Sequence, residues 1–129
     1  MSIASLLLAV VGFSYNTWRL EVTEDNNNIR TAAFEVLQNL SELEQVIFSA
    51  YYDNDTVEGS PRKGWVKVGL INDLSTLISP EVEKDTMILK QYWSENWSKM
   101  SQEQDVVDNL GTYIDKIRYG IKLTLTDLS

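Results

Sequence analysis

The chain has 129 residues, of which 43% are hydrophobic and 23% are charged, a balance that allows one folded domain and argues against wholesale disorder. A formal net charge of −8 disfavours a nucleic-acid partner, because phosphate binding requires clustered Lys and Arg side chains. The absence of Cys and His excludes disulfides, thiol nucleophiles, Cys-based zinc sites and catalysis that depends on histidine.

The opening segment is apolar on every side of a helix, since Ser5 is the only polar side chain between Ile3 and Phe13. A helix of this kind lies in lipid or in a protein core. The strict apolar run is about 11 residues, shorter than the roughly 20 that a membrane span requires, so a buried or oligomer-forming soluble helix and a signal peptide remain alternatives. Tyr15 and Trp18 would suit an interfacial aromatic belt.

We therefore expect residues 1–18 to form an apolar, transmembrane-like anchor. Arg19 and Arg30 follow the run and no basic side chain precedes it, which favours a single-pass protein whose C-terminal domain is cytoplasmic. The anchor residues are Leu6, Leu7, Leu8, Val10, Val11, Phe13 and Trp18.

A long helix is predicted from the opening segment to about Tyr52, because neither Gly nor Pro occurs between Gly12 and Gly59. Apolar residues recur along it at alternating spacings of four and three, which is typical of a heptad seam. The run Asn26-Asn27-Asn28 is either a solvated hinge, which we favour, or a device that fixes coiled-coil register. The seam consists of Ile29, Ala33, Val36, Leu40, Leu43, Ile47 and Ala50.

Three further helices follow from turn residues and apolar periodicity. Ser60-Pro61 and Ser79-Pro80 each resemble an N-cap followed by the first helical residue, although a short strand at Trp65 is an alternative. The sequence predicts an all-α, antiparallel bundle of about four helices over residues 19–129, with a long N-terminal helix that begins as an anchor or stalk. The predicted helices are about 19–52, 61–78, 80–100 and 102–128.

Two places could bind a small ligand. Trp93 and Trp97 lie four residues apart and would share a helix face, where they could contact an aromatic or cationic molecule, although core packing explains them as well. Arg62 and Lys63 precede Trp65 at a helix start, where anion binding is physically reasonable and a solvated turn is the plain alternative.

The function predicted from these features is a membrane-tethered, non-enzymatic helical domain. It would act through helix–helix contacts with a protein partner or with itself, using its heptad faces, with no nucleic acid, cofactor, metal or catalytic residue involved. The alternatives are a small-molecule sensor-type bundle and a soluble helical oligomer.

Overall fold

The computed structural model describes the backbone of residues 2–128 and the side chains of residues 23–128. Within these residues there is no strand, and the predicted all-α bundle is confirmed. A short 3-10 helix, Trp97–Lys99, follows the third α-helix. The α-helices are α1 (Ser2–Tyr51), α2 (Pro61–Ser75), α3 (Pro80–Asn96) and α4 (Gln104–Asp127).

The first helix passes through the asparagine run without a break, so the predicted hinge is wrong. Three asparagines disfavour the helix by about 0.6 kcal/mol each relative to alanine, which a helix of 50 residues outweighs. Local bonds also hold this turn: Asn27 accepts a hydrogen bond from Arg30, and Thr31 donates to the Asn27 carbonyl at 2.9 Å.

A left-handed residue lies three positions after the end of α1. Asn54 has φ 52°, and the Asp55 amide that follows it donates to the Ser49 carbonyl at 2.9 Å, which turns the chain back over the last turn of the helix. Asparagine tolerates this backbone because its short polar side chain hydrogen bonds locally. The Asp55 carboxylate then accepts the amides of Val57 and Glu58, which folds the loop back toward α2.

Both predicted helix starts are observed, but only one of the two serines caps its helix through its side chain. Ser60 precedes Pro61 but its side chain makes no capping bond, whereas the Ser79 hydroxyl accepts the Val82 amide at 3.1 Å. The helices that these prolines begin are shorter than predicted, because α2 ends at Ser75 and α3 at Asn96. The segment at Trp65 is helical, so the strand alternative is excluded.

Each helix runs antiparallel to the one before it, and α4 returns to pack against α1. The Trp65 ring of α2 lies 6.4 Å from the Trp93 ring of α3, and Arg118 of α4 bonds to Glu44 of α1. The α1 seam faces inward, with only Ile29 at its start left half-buried. The fully buried large side chains are Val36, Leu40, Leu43, Ile47, Ile71, Leu89, Trp93, Met100, Leu110, Ile114, Ile117 and Ile121.

Among the described side chains, contacts at both ends of the bundle place α4 alongside the part of α1 from Arg30 to Tyr51. Gln104 at the start of α4 accepts the Tyr51 hydroxyl at 3.4 Å, and at the other end the Leu128 carbonyl accepts Arg30 at 3.2 Å. The α4 helix has 24 residues, about 36 Å, whereas α1 has 50 residues, about 75 Å. The helical backbone of α1 therefore continues well beyond the last turn of α4.

The predicted single-pass anchor and membrane location are wrong. No helix in the described part of the chain has both the length and the apolarity needed to cross a bilayer. The apolar run is short for a span, and Asn16, Arg19 and Glu21 follow it closely. The side chains assigned to the anchor, Leu6, Leu7, Leu8, Val10, Val11, Phe13 and Trp18, lie outside the described side chains.

Two glycines of α2 provide a test of how α2 and α3 pack. A Cβ at Gly64 would collide with the Trp93 indole, whereas a Cβ at Gly69 meets nothing within 4 Å. We expect Gly64→Ala to lower the free energy of unfolding by about 1–3 kcal/mol through overpacking. The matched Gly69→Ala should raise it by about 0.5–1 kcal/mol through helix propensity. Urea denaturation followed by circular dichroism measures the free energy of unfolding of each variant. Equal effects of the two substitutions would contradict the close packing of Gly64 against Trp93.

Candidate interaction surface

The four residues predicted as ligand contacts do not share a pocket. Trp93 is fully buried beneath Gly64, and its indole N–H has no hydrogen-bond partner among the described residues. Trp97 is 38% exposed and lines a cleft at the loop end of the bundle. Arg62 and Lys63 line a different groove, between α1 and α2.

The groove at Arg62 is open and its charges are largely matched. It has a volume of about 570 Å³ and an apolar floor that includes Val46. Lys63 lies 3.4 Å from Glu58, and Lys67 pairs with Glu42. The remaining exposed cation, Arg62, does not make this groove an anion site on its own.

The inward heptad seam is not available to a partner. Ala33, Val36, Leu40 and Leu43 are each 0% exposed, because α2 and α4 cover this face of α1. Helix–helix contact with another molecule therefore requires a different face of α1 from the one that the sequence pattern suggested.

The outer face of α1 carries a row of uncharged side chains, here called the outer column. Between residues 27 and 52 every exposed residue belongs to it except Asn28 and Glu35. Its members follow spacings of three and four, so they form one line along the helix. The outer column consists of Asn27, Thr31, Phe34, Gln38, Ser41, Gln45, Phe48 and Tyr52.

Three aromatic rings make the outer column partly apolar. Phe34 is 60% exposed, Phe48 43% and Tyr52 57%, and the Phe48 and Tyr52 rings lie 5.8 Å apart, edge to face. Single exposed apolar residues are common on protein surfaces, but an aligned, uncharged row marks an interaction site more strongly.

The carboxylates beside the outer column are paired with cations. On the α4 side, Nη2 of Arg118 donates to Glu44 and also reaches the Ser41 hydroxyl at 3.3 Å, while Nη1 donates to Asp115 at 3.2 Å. The hydrogen bond that Arg118 donates to Glu44 raises the pKa of the guanidinium. On the α2 side, Lys67 bonds to Glu42. These pairs reduce the negative charge at the two edges of the column, where Glu35 remains an exposed carboxylate.

Sequence inspection missed the outer column because the inward seam has the stronger apolar pattern. The signal was nevertheless present: the sequence has an uncharged residue at every seventh position of one register of α1. These positions are Leu6, Phe13, Leu20, Asn27, Phe34, Ser41 and Phe48.

No protein-family model, curated protein or solved structure matches this chain.

The ion pair between Lys67 and Glu42, at the edge of the outer column, leads to a prediction about the titration of Glu42. The hydrogen bond from Lys67, with a smaller one from Gln38, lowers the pKa of Glu42 below its ordinary value. A depressed folded pKa stabilises the fold above the unfolded pKa, and this stabilisation is lost as the pH falls through the folded pKa. The pair is partly exposed, so its contribution to stability is small.

We expect Lys67→Met to raise the pKa of Glu42 toward its ordinary value, as measured by NMR titration of the side-chain carboxyl carbon. Lys90→Met, an exposed change on α3, should leave the Glu42 titration as it is. An unchanged Glu42 pKa in Lys67→Met would show that this ion pair does not persist in solution.

Proposed function

We propose that this protein is a non-catalytic helical domain that acts through helix–helix contacts, and that the outer column of α1 pairs with the outer column of a second copy. The supporting observation is that the exposed side chains of α1 from Asn27 to Tyr52 include a single charged residue, Glu35. A solvent-facing helix surface ordinarily carries charged residues for solubility.

Charge favours a second copy as the occupant. Each chain carries a formal net charge of −8, so two copies repel each other over most of their surfaces. The outer column is a face on which two copies can approach with little carboxylate repulsion, because Glu42 and Glu44 at its edges are paired and Glu35 is the one charged residue among the exposed residues from 27 to 52. A symmetric pair also places the same patch on both sides of the contact.

Length and spacing favour a parallel, in-register arrangement. In the sequence, the seven-residue interval of the column continues N-terminally through Leu20, Phe13 and Leu6. A strict seven-residue repeat favours left-handed supercoiling of two helices. Only parallel pairing in register aligns the apolar sequence Ile3–Phe13 of one chain with the same sequence of its partner, and contact between two apolar segments favours association.

The exposed phenylalanines test this proposal. We expect the full chain to form a concentration-dependent dimer in sedimentation equilibrium, and we expect the double variant Phe34→Glu, Phe48→Glu to weaken it about a hundredfold or more. The reason is that four carboxylates would enter a contact with low water content, where each unpaired charge costs several kcal/mol.

Tyr119→Glu is the matched control, because Tyr119 is an aromatic residue on α4, is 65% exposed and is not a member of the column. It should leave the dimer intact. A wild-type chain that sediments as a monomer at every concentration, or equal weakening by both variants, would refute pairing through the outer column.

A further inference from the structure

A cleft at the loop end of the bundle has a composition unlike the rest of this acidic surface. It lies between the α1–α2 loop and the segment that follows α3, and its volume is about 410 Å³. This volume falls in the range of small-molecule sites. The cleft is formed by different residues from the outer column, so its role does not depend on the pairing of two chains.

The floor of the cleft is apolar. Ala50 and Met100 are almost fully buried, and Gly59 packs so tightly against the Ala50 and Asp55 backbones that no Cβ would fit there. Trp97 lines the cleft with an indole that is 38% exposed, so a flat apolar surface is open to a ligand.

The rim of the cleft is polar but uncharged, apart from one carboxylate that is already engaged. Asp55 accepts the backbone amides of Val57 and Glu58 at 2.9 and 3.0 Å, so its hydrogen-bonding capacity is partly used within the loop. The other polar residues at the rim are exposed amides and hydroxyls, namely Asn54, Thr56, Ser98, Ser101 and Gln102.

We propose that this cleft binds a neutral, hydroxyl-bearing ring such as a hexose. One face of a pyranose ring presents C–H groups that pack against an indole, and its edge presents hydroxyls. Amide and hydroxyl side chains both donate and accept hydrogen bonds, which matches a sugar hydroxyl, whereas an ammonium group only donates and a carboxylate only accepts.

The charge of the cleft sets the ligand class. An anionic ligand would meet no cation among the residues that line it, and it would approach a chain of net charge −8. A cationic ligand would find a single carboxylate, Asp55, whose Oδ1 already accepts two backbone amides. A neutral polyhydroxyl ring meets neither penalty.

The test is an NMR titration of the full, isotopically labelled chain with glucose, galactose and N-acetylglucosamine, with glucuronate and glucosamine as charged analogues. We expect at least one neutral sugar to shift the Trp97 indole N–H and the Asn54 and Ser98 amides. We also expect the charged analogues to bind more weakly. Shifts spread evenly over the surface, or no shift at these groups with any sugar, would overturn the proposal.

A matched pair of tryptophans isolates the indole contact. Trp97→Ala should weaken binding of the neutral sugar about tenfold, because the stacking surface is lost. Trp65→Ala removes a ring that is 39% exposed and lies outside the cleft, so it should leave the affinity unchanged. Equal affinities in the two variants would refute the assignment of Trp97.

Two rim substitutions keep the test decisive if Trp97→Ala perturbs the fold. Ser101 and Gln102 are exposed, and neither Ser101→Ala nor Gln102→Ala removes a core contact. Each should weaken sugar binding while leaving the unfolding transition in place. Unchanged binding in both would show that the rim does not contact the sugar.

Discussion

The inner face of α1 between Ala32 and Ala50 is covered by α2 on one side and by α4 on the other, and this burial determines what the rest of the molecule can do. A helix face that packs inside its own bundle is not available for contact with another molecule. The heptad seam that would suit an intermolecular coiled coil is committed to the core of its own bundle, where burying each large aliphatic side chain contributes about 1.5–3 kcal/mol. Any contact between molecules must then use a face that the bundle leaves open.

The open face of α1 differs from an ordinary solvent-facing helix. Between residues 27 and 52 its exposed side chains, apart from Glu35, are amides, hydroxyls and three aromatic rings, while the neighbouring carboxylates of Glu42 and Glu44 are paired with Lys67 and Arg118. Surface ion pairs of this kind add little to the stability of a fold. Their larger effect here is on the approach of a second acidic chain, because they reduce the repulsion along both edges of the outer column.

Local chemistry made much of the fold predictable. The seam of α1 anticipated the buried face of that helix, and Ser79-Pro80 marked the start of α3 because a capping hydroxyl and a proline act within one turn. The hinge at Asn26-Asn27-Asn28 was predicted wrongly, since propensity is a weak prior that flanking helix overrides. The contact of Gly64 with Trp93 depends on the approach of two helices, which no local pattern reports.

The candidate sites were harder to predict for a physical reason. The membrane prediction rested on the apolar composition of the opening segment. Composition does not distinguish a run that is too short for a bilayer from one that spans it, because the difference between them is length. The predicted ligand residues were selected by type, but Trp93 lies in the core whereas Trp97 lies at the surface. The outer column became visible only after the structure had shown which face of α1 is already occupied.

The most direct measurement of parallel pairing through the outer column is disulfide trapping of Thr31→Cys, because the chain has no other cysteine. Thr31 lies in the column, one turn before Phe34, and parallel pairing in register places it opposite its own copy. The account predicts that mild oxidation converts this variant to a covalent dimer while Tyr119→Cys forms no covalent dimer on a non-reducing denaturing gel. Equal trapping at both positions, or no trapping at Thr31→Cys, would contradict it.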